Sequence, residues 1–203
     1  SVSEESAVEA TGTLQLHPRT GEVELAVTDF AVINLATMDF TPSPRSYFDI
    51  FDPKYTDLML RQRHIYLRNP RVMAILRFRS LVMDVARRWF AQEGFLEFDA
   101  PILVPVPLCH DRTAIDLAVH DEPAFLSQCA GFYLEAAAQA FEKVYNMAPS
   151  FRGEESRSKR HLTEYWHIKA ELAFGNLEDI IGLTESVIQY VIQRLEKEGS
   201  ELA

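Results

Sequence analysis

Two strand-like runs, "VYNMAPSFRGE" and "TEYWHIKAELAF", flank the polar, basic stretch "ESRSKRHL" over residues 144–174. Alternation with a period of two, joined by a loop that cannot be buried, specifies an antiparallel hairpin with a long loop. One face of the first run carries Arg152 and Glu154. One face of the returning run carries Tyr165, His167, Lys169 and Glu171. The loop holds Arg157, Lys159, Arg160 and His161. So much positive charge suits a polyanion, such as a triphosphate or a nucleic-acid end, and an arginine fork can bridge a phosphate and a carboxylate. An aromatic ring can stack on a heterocycle. The plainer alternative is a surface hairpin with solvated charges and two core aromatics.

The rest of the chain supplies elements for that hairpin to rest on. A 3-4-3-4 stripe of Ile75, Phe78, Val82, Val85 and Trp89 predicts a helix over about Arg71 to Glu93. Pro70 is suited to its first turn and Gly94 to its C-cap. "FLEFDAPILVPVP" follows, and Pro101, Pro105 and Pro107 restrict it to an edge strand or an irregular run. A second helix is expected over about Gly131 to Lys143. A last one starts at Asn176, whose N-cap role is strengthened by Asp179 three residues on, with Ile180, Leu183, Val187, Val191 and Leu195 as its stripe. At the other end, "GTLQL", "EVELAV" and "FAVINLA" read as three strands, and "TPSPRS" at 41–46 as a linker. Three strands do not make a domain alone, so this piece is expected to belong to a small barrel or a docking hairpin.

The 203 residues are 47% hydrophobic, enough for one sizeable core and an appendage. A net charge of −10 argues against wholesale coating of nucleic acid but leaves a local basic patch open. The two cysteines, Cys109 and Cys129, have neither metal-ligand spacing nor a disulfide framework, which favours a reducing, cytoplasmic setting. His110, His120 and His167 fit no zinc signature. No apolar run approaches the roughly 20 residues of a membrane span, and "SVSEESAVEA" does not resemble a signal peptide.

Phe151, Arg152, Glu154, His161 and Tyr165 together resemble motif 2 of the class II aminoacyl-tRNA synthetases, and "RHLTEYW" is closest to the aspartyl/asparaginyl branch. "RNPRVMAILRFRSLVMDVARRWFAQEGFLEFDAPIL", closing on Pro101, resembles motif 1 of that class. "VEATGTLQLHPRTGEVELAV" resembles the last strands of the branch's anticodon-reading OB-fold. The resemblance implies an α+β fold: an incomplete antiparallel sheet with flanking helices over 41–203, preceded by an OB-fold remnant over 1–40.

It also implies a function, an ATP-dependent ligase that activates an amino acid as its adenylate and transfers it to tRNA. Arg152 would hold the α-phosphate and the substrate carboxylate, and is the expected catalytic residue. Glu154 would meet the adenine amino group, His161 the outer phosphates and Tyr165 the adenine face. Arg157, Lys159 and Arg160 would face the acceptor end of tRNA. Ser127, Gln128, Glu135 and Glu171 would contact the amino acid. "GFYLE" places Glu135 where aspartyl enzymes carry a lysine, which implies asparagine rather than aspartate. Mg2+ would accompany ATP, on ligands outside this stretch of sequence, and a homodimer would form through the motif 1 helix.

Three departures from the pattern stand out. Lys169 replaces an acidic residue expected near the substrate's amino group. Gly131 replaces a glutamine. Motif 3, a glycine-rich strand and helix with an ATP-clamping arginine, has no counterpart after Phe174. The departures leave three readings: a fragment of an asparagine–tRNA ligase, a shortened paralogue that binds or dimerises, or a relative acting on a free small molecule or on aspartate.

Overall fold

The computed structural model of the chain describes residues 2–37, 41–108, 111–155, 158 and 160–199. Arg157 and Lys159 of the basic loop, with Cys109 and His110, lie outside the described residues. The chain divides into two compact units, Ser1–Met73 and Ala74–Ala203.

The first unit opens with β1 (Ala7–Leu16) and β2 (Val23–Asn34), an antiparallel ribbon. The sequence pattern suggested a break before "FAVINLA"; instead β2 runs through it as one strand. The apparent interruption is a bulge. Thr11 faces Asp29 and Gly12 faces Val27, so Thr28 has no partner, and its hydroxyl donates back to the Thr11 carbonyl at 3.2 Å. Gly12 is required there, because a Cβ would lie 2.2 Å from the Ala26 oxygen.

Two helices follow that periodicity did not reveal. They are α1 (Pro53–Arg61), capped by the Asp52 carboxylate accepting from Lys54 N, and the single turn α2 (Arg63–Tyr66). The linker at 41–46 is irregular, and buried side chains pin it. The Tyr66 hydroxyl donates to the Pro42 carbonyl at 3.0 Å, and Asn69 Nδ2 donates to the Ser46 carbonyl at 3.0 Å. Buried Glu5 pairs with Arg45 and Arg68.

The second unit is built on a sheet of order β3–β7–β8: β3 (Leu96–Glu97) runs parallel to β7 (Lys143–Phe151), and β8 (Glu164–Leu172) antiparallel to it. Period-two alternation sends successive β7 side chains to opposite faces. Tyr145 and Met147 enter a cluster with Ala86, Trp89, Phe90 and Phe95, against which Leu183, Val187, Tyr190 and Val191 pack. Two helices therefore cover that face, α3 (Pro70–Gln92) and α5 (Leu177–Glu198). The rings of Phe90 and Tyr145 stack at 4.2 Å, and Tyr145 donates to Glu97 at 2.9 Å. Val144 goes the other way, into a cluster with Leu134, Ala137 and Ala138 of α4 (Gly131–Phe141). That helix stops two residues short of the expected Lys143, which already opens β7.

The predicted stripe of α3 is correct in its second half only. Val85 and Trp89 are buried, joined by Ala86 and Phe90, whereas Ile75 and Phe78 stay 46% exposed. Among the described residues the core cluster draws on α3 only from Met83 to Phe90, so its first turns lie outside that cluster. The capping box that opens α5 forms as read, with Asp179 N to Asn176 Oδ1 at 3.2 Å and Asn176 N to Asp179 Oδ2 at 2.9 Å. None of its residues is fully buried; an apolar groove of about 410 Å3 remains between α3, β8 and α5.

The proline-broken run forms two-residue strands, β3 and β4 (Leu103–Val104). A second sheet of order β4–β6–β5 was not foreseen. It contains β5 (Ile115–Val119) and β6 (Glu122–Leu126), joined through His120 and Asp121 at positive φ. Such a two-residue turn suits right-handed strand twist. Among the described residues, no helix is long and apolar enough to cross a membrane.

Candidate nucleotide-binding and carboxylate-activating site

The β7–β8 hairpin forms as its alternation requires, with Ser150 opposite Tyr165, Ala148 opposite His167, Asn146 opposite Lys169 and Val144 opposite Glu171. Its tip is fastened by backbone contacts. Arg152 N donates to the Thr163 carbonyl at 2.9 Å, Phe151 N to Ser127 at 3.0 Å and Gly153 N to Thr113 at 2.8 Å. A rigid base of this kind fixes where a long side chain can reach.

A cavity of about 440 Å3 opens at that tip, lined by Arg152, Glu154, Arg160, His161, Leu162, Tyr165 and His167. The expected Arg152, Glu154, His161 and Tyr165 thus line one space, and so does Arg160 of the basic loop. Arg152 Nη1 is 3.8 Å from Glu154 Oε1, and both side chains are about half exposed (49% and 52%). Such a loose pair leaves the guanidinium donors available to an anion. His161 Nδ1 is 2.8 Å from Ser158 Oγ, which orients its ring. The Tyr165 and His167 rings lie 6.0 Å apart.

His167 was placed on this face by alternation but not assigned a role, and Leu162 was missed. Burial pushes the His167 imidazole below its ordinary pKa, and the positive charges of Lys169 and Arg152 push it further. Its Nδ1 lies 3.4 Å from Ser150 Oγ.

The expected amino-acid contacts lie elsewhere. Ser127 and Gln128 are buried; Ser127 Oγ donates to the Cys129 carbonyl at 2.8 Å and Gln128 Nε2 to Thr113 Oγ1 at 2.9 Å. The carbonyls of Ser127 and Thr113 accept from Phe151 and Gly153, so this segment braces the strand that carries Arg152. Glu135 is exposed on α4 and lines no part of the cavity. Glu171 lies further along β8, paired with Lys169 at 3.3 Å.

Gly131 and Lys169, far apart in sequence, meet here: a Cβ on Gly131 would lie 2.7 Å from Lys169 Nζ. Among the described residues no cluster of three or more His, Cys, Asp or Glu could hold a metal. They therefore provide no ready cage for Mg2+.

The geometry suits an anionic, aromatic ligand, with fixed positive charge from Arg152, a carboxylate acceptor in Glu154 and a ring in Tyr165. Comparison with known proteins identifies the family. The sequence profile of the tRNA synthetases class II (D, K and N) matches residues 55–202. Among curated relatives, the asparagine–tRNA ligase of Thermococcus gammatolerans is 39% identical over 201 residues, covering 98% of this chain and 44% of its own. That of Desulforamulus reducens is 36% identical over 203 residues, covering 99% and 46%. The asparaginyl-tRNA synthetase from Pyrococcus horikoshii, complexed with asparaginyl-adenylate, superimposes with a TM-score of 0.84 at 36% identity, over 98% of this chain and 45% of that one. The chain spans under half the length of the relatives it matches. With motif, fold and profile in agreement, the chain belongs to the class II tRNA synthetases of the D, K and N group.

Proposed function

We propose that the whole protein is an asparagine–tRNA ligase, and that the cavity at the hairpin tip is where its carboxylate is activated. The observation that carries this is the convergence of Arg152, Glu154, His161 and Tyr165 on one cavity, in a chain alike over 98% of its length to a synthetase complexed with asparaginyl-adenylate. In the reaction, a carboxylate oxygen of asparagine attacks the α-phosphorus of ATP and pyrophosphate leaves. A terminal tRNA hydroxyl then attacks the acyl carbon and AMP leaves.

Two anions must meet in the first step, so positioning and fixed positive charge supply most of the acceleration. Arg152 bridges the α-phosphate and the carboxylate. Glu154 accepts from the adenine amino group, Tyr165 stacks on the ring, and His161 lies by the outer phosphates. Arg160, with Arg157 and Lys159, meets the acceptor end of tRNA.

The β1–β2 ribbon, within residues 1–40, belongs to an anticodon-reading OB-fold, and 41–203 is part of the catalytic core. The exposed Ile75, Leu76 and Phe78 of α3 form part of a two-fold dimer contact. The protein works in the cytoplasm, where tRNA is charged.

Asparagine-dependent ATP–pyrophosphate exchange by the full-length protein tests the reading. Arg152→Ala is expected to reduce it by about 10²–10³-fold, the loss typical of removing one donor to a developing charge. Undiminished exchange would remove Arg152 from the reaction; exchange with aspartate but not asparagine would correct the substrate.

A further inference from the structure

We propose that Glu5 is a positioning residue for the tRNA-charging step: through Arg45 and Arg68, its carboxylate fixes the β1–β2 ribbon against the segment that opens α3. The proposal rests on the reading of the ribbon as part of an anticodon-reading fold in an asparagine–tRNA ligase.

Residues 35–37 and 41–52 form no helix or strand, so the covalent path from the ribbon to α1 does not by itself set an angle. The turn before β1 supplies the missing ties. Ser6 N donates to the Ser3 carbonyl at 3.2 Å and closes the turn. Ser6 Oγ accepts from Ala36 N at 3.0 Å, and Ser3 Oγ donates to the Ala36 carbonyl at 3.3 Å, so the two ends of the ribbon are held together. The Glu4 carboxylate accepts from Ser43 Oγ of the linker.

Glu5 turns inward. Its backbone takes a left-handed φ of 67°, unfavourable for a residue with a Cβ, and its side chain is 3% exposed. Oε1 lies 3.4 Å from Arg45 Nε in the linker, and Oε2 lies against Arg68 Nη1, between α2 and α3. Beyond these pairs neither oxygen accepts a hydrogen bond among the described residues, so the two guanidinium charges are what offset its burial. Arg68 is itself placed by neighbours. Its Nε donates to the Ile65 carbonyl at 3.4 Å, and the next residue, buried Asn69, accepts from Arg71 N at 3.0 Å in the first turn of α3.

Stability does not demand this arrangement. A buried ion pair gains little over apolar packing of the same volume; what it adds here is one specified arrangement of three segments far apart in sequence. A tRNA gripped at its anticodon by the ribbon depends on that arrangement when its 3′ end is charged. ATP and asparagine, bound at the hairpin tip, do not.

The two half-reactions therefore separate positioning from a general loss of fold. Both arginines reach water, with side chains 66% and 41% exposed, so removing the carboxylate strands no buried cation. In the full-length protein, Glu5→Gln is expected to keep asparagine-dependent ATP–pyrophosphate exchange within about twofold of the wild type. It should lower kcat/KM for tRNA charging about tenfold, mainly through the tRNA KM. Arg68→Met should lose more, because it leaves the buried carboxylate with Arg45 alone, and the double variant should return to the level of Glu5→Gln.

Equal losses in pyrophosphate exchange and charging overturn the proposal, since they mark a disturbed fold. So does charging by Glu5→Gln within about twofold of the wild type, or losses that simply add in the double variant. If the wild type shows no pyrophosphate exchange, the ligase assignment falls and amide hydrogen exchange decides Glu5. Faster rates at the Ser6, Ala36 and Ser46 amides in Glu5→Gln, with β7–β8 unchanged, uphold its hold on the linker; unchanged rates overturn that as well.

Discussion

Two antiparallel hairpins in this chain have been put to opposite uses. Within the residues of this chain, nearly every side chain of β1–β2 is exposed, including Leu14, Leu16, Val23 and Val27. In β7–β8, no residue of the first strand is exposed and the second presents one polar and one apolar face. Backbone pairing is comparable; what differs is support. Helix α4 covers one face of β7, while α3 and α5 cover the other, so register is enforced from both sides. Only on such a base can Arg152, Tyr165 and His167 be held in fixed relation. The ribbon has no such constraint within its own unit, and its register rests on local devices: the Gly12 bulge and the Gly21 turn.

If the functional hairpin borrows its order from the core behind it, emptying that core should break it. Trp89 is 3% exposed, packed edge-on against Phe90 at 5.0 Å in the cluster that receives Tyr145 and Met147. Trp89→Ala is expected to cost about 3–5 kcal/mol in denaturant unfolding, through lost transfer energy and the cavity left behind. A cost under about 1 kcal/mol would mean the hairpin stands without that cluster.

The opposite test strikes the ribbon and should spare the site. In Gly12→Ala, the new methyl would press into the Ala26 carbonyl. Re-forming the bulge around it is expected to cost about 1–3 kcal/mol. Hydrogen exchange should show that loss in β1 and β2 amides, with β7–β8 protection unchanged. Equal loosening of both hairpins would contradict the claim that their order has separate sources.

The same contrast explains what could be read in advance. The β7–β8 pairing and the shared face of Tyr165, His167, Lys169 and Glu171 were legible because burial imposes period two on the letters. The Asn176–Asp179 box was legible because its donors and acceptors are local. The β2 bulge was not, since a bulge imitates a strand break in an alternating pattern. Helix α1 carried a cap signal, Asp52 with Pro53, and an amphipathic pattern through Tyr55, Leu58 and Met59, but nine residues hold too few turns for a period to stand out. Helix α3 misled in its first turns because periodicity reports a face and says nothing about whether another element covers it. The bracing role of Ser127 and Gln128 was hidden for a related reason. The Ser127 carbonyl meets Phe151 and the Gln128 side chain meets Thr113, tertiary neighbours that no local pattern encodes. The meeting of Gly131 with Lys169 is of the same kind.

The gentlest probe uses pH. A site built on a buried hairpin perturbs a titrating group, whereas an open ribbon leaves its side chains in water. Burial first, then Lys169 and Arg152, hold the His167 pKa below its ordinary value of 6.5. The unfolded chain therefore takes up this proton first as pH falls, and folding stability declines below about 6.5 until the folded-state value is passed. Above the ordinary value both states are neutral and the effect vanishes. His167→Gln removes the group, so its Tm relative to the wild type should rise as pH drops from about 7.5 to about 5. Lys169→Met should do part of the same by lifting one source of repulsion while leaving burial in place. A Tm difference that stays flat across that range would mean water reaches His167 freely, and the two hairpins would then differ less in shielding than their burial indicates.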